Sequence, residues 1–278
     1  MGFQTITEVI EQNIQNGIKK TNLTTKKLIL LGIAAGFFIG IGAEAEASSL
    51  AMHGISNVGL ARTVAGAVFP IGLMLIVLLG GELFTGNCLI SMAVYDKKAK
   101  LKGMIRNLTI VYISNFIGAA LMAWMINNCS QLNFSDGGAG AFTIKVALGK
   151  VGIDPIQAIV SGILCNVLVC LAIFMAATAK DVAGKCIAIF FPIFVFVISG
   201  FEHCVANMYY IPAGIFAAHN PLYAAKATEL YGITAEQLSG LNFGTMFSNL
   251  VPVTIGNIIG GMVFVGLLYW YLYRKKEV

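Results

Sequence analysis

Glu202 and His203 stand side by side in "GFEHCVANMYY" (200–210), directly after the apolar run "CIAIFFPIFVFVIS". An ionisable pair within so apolar a stretch is costly to bury and points to function by default. His203 is the one histidine inside a long apolar run, since His53 and His219 fall near run ends. An imidazole changes charge near neutral pH and can donate, accept or relay a proton. As a plain core residue it would be a neutral ring bonded to a backbone carbonyl. An earlier run carries the same pattern. "FPIGLMLIVLLGGELFTGN" (69–87) and "FPIFVFVISGFEHCVAN" (191–207) both open Phe-Pro-Ile and both reach Gly-x-Glu-x-x-x-small-Asn. The first copy supplies Gly80, Glu82, Gly86 and Asn87; the second supplies Gly200, Glu202, Ala206 and Asn207. The copies differ at their chemistry: Leu83 stands where the second has His203, and Thr85 where it has Val205. Together they contribute one imidazole and one hydroxyl.

The elements that must position these groups are transmembrane helices. Of 278 residues, 58% are hydrophobic and 11% charged, which is too apolar for a soluble domain. The runs are long and lack strand-type alternation, against a membrane β-barrel. Apolar segments lie near 28–50, 63–94, 105–127, 155–178, 185–218 and 247–273, each long enough to cross about 30 Å of hydrocarbon. Arg62, Lys145, Lys150 and Lys226 fall on one side of this six-span reading; every other lysine and arginine, from Lys19 to Lys276, falls on the other. The positive-inside rule then predicts both termini in the cytoplasm of a multi-pass protein of the cell (inner) membrane. The opening "MGFQTITEVIEQNIQNGIKK" is unlike a cleavable leader. Its Phe3, Ile6, Ile10, Ile14 and Ile18, mostly four apart, predict an amphipathic helix within 1–25 on the cytoplasmic face.

The repeat extends beyond the two polar runs. "NLTIVYISNFIGA" (107–119) lies over "NLVPVTIGNIIGG" (249–261), pairing Asn107 with Asn249, Asn115 with Asn257 and Gly118 with Gly260. The first and fourth segments match weakly, at Gly36 and Gly162. Residues 28–127 and 155–273 therefore read as two three-helix units. An odd number of crossings gives the two copies opposite orientation. The expected fold is all-α, one membrane domain of six spans in an inverted repeat, with spans two and five interrupted at Gly80-Gly81 and Gly200. Irregular backbone at that depth must be buried in protein or line a wet cavity. Glu82 and Glu202 are expected to accept freed backbone N–H groups there, with Asn87 and Asn207 beside them. Phe69, Leu73, Leu83, Phe84, Phe194 and Phe196 suggest apolar constrictions, although each is more often packing. Asn166 is a pore or a packing residue. Glu44 and Glu46 fall near the outer boundary, in water or at a subunit contact. The six cysteines show no metal spacing and read as buried hydrophobes.

At "ELFTGN" (82–87), "FEHCVANMYYIP" (201–212) and "NLVPVTIGNIIGG" (249–261) the chain resembles the formate/nitrite transporter family, and the resemblance runs over nearly its whole length. It implies an aquaporin-like fold and a homopentamer with one pore per subunit. The expected partners are small monovalent weak-acid anions (formate, nitrite, hydrosulfide), together with the lipid bilayer; no cofactor, metal or nucleic acid is expected. Overall similarity leans toward the hydrosulfide channels. By the resemblance His203, Thr85 and Asn257 form the pore centre, Lys150 attracts the anion, and Phe69, Leu73, Leu83, Phe84 and Phe196 form hydrophobic slits. It also implies that the N-terminal segment covers the cytoplasmic pore mouth.

A bare anion in an apolar slit faces a desolvation cost of many kcal/mol, and falling dielectric favours its neutral acid. Two routes remain open: a proton supplied through His203 or relayed water, or a protonated His203 accompanying the anion. A strict proton–anion symporter on the same fold is the main alternative. A neutral-solute pore is less favoured, because "TGN" and "VAN" stand where aquaporins carry Asn-Pro-Ala. No metal cluster, activated serine or cofactor motif suggests an enzyme.

Overall fold

The computed structural model describes residues 3–51 and 57–274, so His53, Lys275 and Lys276 lie outside the described residues. All regular structure among the described residues is helical. Helix α1 (Ile6–Thr21) starts at a capping box in which Thr5 and Glu8 satisfy each other's backbone N–H groups. Its apolar face, Val9, Ile10 and Ile14, is buried against Leu89, Met92, Phe174 and Val265. The helix predicted to lie on the cytoplasmic face is thus seated in the protein body.

The remaining helices are α2 (Thr25–Ala51), α3 (Val58–Val68), α4 (Ile71–Leu79), α5 (Phe84–Asn87), α6 (Ser91–Tyr95), α7 (Leu101–Asn128), α8 (Gly138–Val151), α9 (Pro155–Thr178), α10 (Val182–Ile198), α11 (Cys204–Ala218), α12 (Pro221–Tyr231), α13 (Ala235–Gly240), α14 (Met246–Ile259) and α15 (Leu268–Tyr273). A π-helical stretch, Gly260–Leu267, joins the last two. Among the described residues five runs are long and apolar enough to cross a membrane: Thr25–Ala47, Val58–Leu79, Leu101–Asn128, Pro155–Thr178 and Met246–Tyr273. Phe84–Tyr95, Val182–Ile198 and Cys204–Ala218 are shorter apolar helices. The chain is interrupted between α4 and α5 and between α10 and α11. Gly80 (φ +92°) and Gly200 (φ +69°) begin these breaks in a region that only glycine enters without strain.

Two helix pairs pack backbone to backbone. A Cβ on Gly36 would stand 2.0 Å from the Asn115 carbonyl oxygen, between α2 and α7. One on Gly256 would stand 2.2 Å from the Ile159 carbonyl oxygen, between α14 and α9. This approach brings two asparagines onto equivalent carbonyls: Asn115 Nδ2 donates to Gly32 O and Asn257 Nδ2 to Gly162 O, both at 2.8 Å. The counterpart of Gly162 is therefore Gly32, one helical turn from the Gly36 that sequence matching chose.

Candidate functional site

Each break is held by an asparagine that satisfies three backbone groups. Asn115 Oδ1 accepts from Phe84 N (2.9 Å), and its Nδ2 also donates to Glu82 O (2.9 Å). Asn257 Oδ1 accepts from Cys204 N (2.9 Å), and its Nδ2 also donates to Glu202 O (3.0 Å). Glu82 N donates to Leu31 O (3.1 Å) and Glu202 N to Ser161 Oγ (3.0 Å). The freed N–H groups thus go to asparagines, a carbonyl and a serine, and not to Glu82 and Glu202 as expected. Asn257 acts as a brace, with both polar side-chain atoms committed to backbone. Asn166 braces as well, donating to Thr85 O (3.2 Å) and Asn257 O (2.6 Å).

The two glutamates instead form matching ion-pair networks. Lys20 Nζ stands 2.8 Å from Glu82 Oε1, and Lys150 Nζ stands 2.5 Å from Glu202 Oε1. Asn87 Nδ2 donates to Glu82 Oε2 (2.7 Å) and Asn107 Oδ1 (2.8 Å); Asn207 Nδ2 donates to Glu202 Oε2 and Asn249 Oδ1, both at 2.7 Å. Asn107 and Asn249 close each ring by donating to the backbone carbonyls of Lys20 (3.0 Å) and Lys150 (2.8 Å). A buried carboxylate is tolerable only when paired and hydrogen-bonded, and each is here. Sequence reading counted Lys20 only as a loop charge. It is the structural equal of Lys150, delivered by the last turn of α1 as Lys150 is by the last turn of α8. A signal was present: Lys20-x-x-x-Thr24 repeats as Lys150-x-x-x-Asp154, and Thr24 and Asp154 cap α2 and α9 through Lys27 N and Gln157 N.

Between the two networks lies the pair that breaks the likeness. Thr85 Oγ1 and His203 Nε2 are 2.9 Å apart and both residues are buried. His203 caps α11, with Ala206 N donating to its Nδ1 at 3.0 Å. An accepting Nδ1 carries no proton, so Nε2 bears the ring N–H and donates to Thr85, which keeps its hydroxyl proton to donate. The helices beginning at Phe84 and Cys204 both start beside this pair and turn their positive ends toward it.

Cavities open on either side. One of about 260 Å³ is lined by Asn13, Lys20, Leu73, Ile76, Leu83 and Asn87. The opposite one, about 30 Å³, is lined by Phe69, Lys150, Phe196, His203, Asn207 and Tyr210. Phe69 and Phe196 meet edge to face there, 5.2 Å between centroids. Beyond them a wider vestibule of about 560 Å³ carries Arg62, Lys145, Lys150, Glu46 and Glu202. Two expected constriction residues stand elsewhere. Phe84 packs on Tyr112 (4.8 Å) in a separate apolar groove beside α7 and α14, and Phe194 stacks on Phe190 (5.6 Å). Glu44 is buried and accepts from Tyr209 and Gln131, while Glu46 accepts from Tyr210. Of the two alternatives, the one in which these residues simply reach water is corrected for Glu44, whereas Glu46 is half-buried and borders the vestibule. Among the described residues no group of histidine, cysteine or acidic side chains could hold a metal.

The formate/nitrite transporter family model matches residues 7–271. A probable formate transporter of Methanothermobacter thermautotrophicus is 40% identical, over 90% of each chain. The formate channel BtFdhC of Bacillus thuringiensis is 36% identical over 100% of this chain and 98% of its own. A solved pentameric formate channel with formate bound superposes with a TM-score of 0.79 at 34% identity, covering 90% of this chain and 97% of that one. A second solved structure, an FNT family ion channel, gives a TM-score of 0.80 at 28% identity, covering 96% of this chain and 99% of that one. With its helices interrupted at a shared centre and its whole length matched, the chain belongs to the formate/nitrite transporter family of membrane channels and transporters.

Proposed function

We propose that this protein is a channel of the cell (inner) membrane for small monovalent weak-acid anions, with formate its first substrate. One observation carries the reading: a buried hydroxyl–imidazole pair, Thr85–His203, stands at the junction of two interrupted helices with a cavity on each side, one bordered by Leu73 and Leu83 and the other by Phe69 and Phe196. Formate is favoured over nitrite and hydrosulfide because relatives that match 90% and 100% of this chain are named for formate. Each interrupted pair counted as one crossing gives six crossings in two inverted units, with both termini on the lysine-rich, cytoplasmic side. The matched asparagine braces and lysine–glutamate networks support that inversion. Homopentameric assembly is proposed from the pentameric relative.

In this reading an anion gathers in the vestibule under the field of Arg62, Lys145 and Lys150. Lys150 shares the task, since Glu202 offsets its charge. Phe69 and Phe196 then strip water from the anion on one side, and Leu73 and Leu83 do so on the other. Between them the Thr85 hydroxyl, oriented by the His203 Nε2–H, supplies a hydrogen bond that replaces part of the lost hydration. Low dielectric at the slits favours passage as the neutral acid. Uptake into proteoliposomes of formate, nitrite, chloride and hydrosulfide at two pH values tests this. Formate flux that rises on acidification and does not saturate is expected. Chloride passing as fast as formate would overturn the reading. A saturating flux with a fixed proton-to-anion ratio would make the protein a symporter instead.

A further inference from the structure

The two ion-pair networks differ at two points: Asn249 Nδ2 also donates to Glu202 Oε2 (3.2 Å), and the asparagine oxygens have different surroundings. On one side Lys20 Nζ bonds both Glu82 Oε1 (2.8 Å) and Asn87 Oδ1 (2.7 Å). On the other, Lys150 Nζ bonds Glu202 Oε1 (2.5 Å), and Asn207 Oδ1 is buried without a partner. Asn207 is wholly enclosed, at 0% exposure. Its orientation is fixed, because Nδ2 donates to both Glu202 Oε2 and Asn249 Oδ1. The atom left over is therefore an oxygen, an acceptor with no donor. Such groups are rare in folded proteins because each costs its full desolvation penalty. Asn207 lines the cavity of about 30 Å³ that also holds His203, Phe69 and Phe196, and that volume admits a group the size of water.

We infer that Asn207 Oδ1, beside this cavity, is the docking point for the O–H of the permeant in its neutral, protonated form. A carboxylate or nitrite ion offers only acceptor atoms and meets Asn207 Oδ1 oxygen to oxygen; its conjugate acid donates. Asn207 thus selects the protonation state next to the narrowing at Phe69 and Phe196. Asn87 cannot do the same, because Lys20 occupies its oxygen. The inference rests on the weak-acid channel reading and adds to it the residue that reads the proton.

Two measurements test it. The first compares the formate-to-nitrate flux ratio of the wild type, Asn207→Ser and Asn87→Ser in proteoliposomes at acidic pH, since nitrate is not protonated there. Asn207→Ser should lower the ratio at least fivefold, about the worth of one hydrogen bond, while Asn87→Ser keeps it within twofold. Equal losses in both variants, or none in Asn207→Ser, would overturn the inference. A wild type that carries no formate would bring down the channel reading first. The second measurement needs no variant and decides the matter if Asn207→Ser does not assemble. Density maps of the wild-type protein in lipid nanodiscs, with and without formate at acidic pH, should show formate-dependent density within hydrogen-bond distance of Asn207 Oδ1. Unchanged water-like density in both maps, or Lys150 Nζ filling the place as Lys20 does at Asn87, would refute it.

Discussion

Replacing Asn257 by alanine separates a backbone brace from a pore group. The side chain accepts from Cys204 N at 2.9 Å and donates to Gly162 O at 2.8 Å and Glu202 O at 3.0 Å. Alanine leaves all three without it. A buried polar group left unpaired costs about 1–3 kcal/mol, whereas interhelical hydrogen bonds in membranes average about 0.6 kcal/mol. These scales put the loss of three bonds between about 2 and 9 kcal/mol. Gly162 lies within α9, whose ladder also uses its carbonyl, so the expected loss is nearer the lower end, about 2–4 kcal/mol. The assay is reversible unfolding in mixed micelles, followed by intrinsic fluorescence. Asn115→Ala breaks a matching set at 2.9, 2.8 and 2.9 Å and should lose the same amount to within about 1 kcal/mol. Asn128→Ala is the control: its one bond, to Trp124 O, is exposed, and its loss should stay below about 0.5 kcal/mol. An Asn257→Ala protein as stable as wild type that no longer passed formate would refute this reasoning and return Asn257 to the pore.

Three further outcomes are expected. His203→Asn keeps an oxygen to cap α11, since asparagine is a favoured N-cap, so stability should change by less than about 1 kcal/mol while formate flux falls at least tenfold with the Nε2 donor gone. Lys20→Met strands the buried Glu82; the partly exposed lysine softens the usual penalty for breaking a buried pair, so a loss of about 1–3 kcal/mol is expected, and adding Glu82→Gln should recover more than half of it in the same unfolding assay. Arg62→Gln with Lys145→Gln should cut formate uptake two- to fivefold at low ionic strength, with the deficit fading as salt shortens the screening length below about 10 Å; a deficit independent of salt would count against steering.

What could be read from the sequence was whatever is fixed by short-range pattern. Glu82 and Asn87 recur as Glu202 and Asn207 at the same short spacing, and Asn107 and Asn115 as Asn249 and Asn257 at theirs, because each set meets its helix break from one element, and Gly80 and Gly200 recur because the breaks need positive φ. The partners of the glutamates were not readable, since Lys20 and Lys150 reach them from α1 and α8, which share little beyond their final residues. A flexible side chain arriving from another element leaves no periodic trace. Phe84 misled for a different reason. Leu83 is the last extended residue and Phe84 the first helical one, so Phe84 turns to Tyr112 while Leu83 lines the cavity and Thr85 meets His203. Position along a helix gives Glu44 and Glu46 a depth but not a facing, and Tyr209 and Tyr210 meet them.

Because each lysine–glutamate–asparagine cluster has a counterpart on the opposite side, a solute entering from either end meets nearly the same succession of charge, grease and hydrogen-bond donors. The likeness fails at the midpoint, imidazole against leucine and hydroxyl against valine, and again in the cavities of about 30 and 260 Å³ that flank it. The matched lysine–glutamate networks by themselves carry no arrow, so in the channel reading the sense of net flow is left to the concentration and proton gradients across the bilayer.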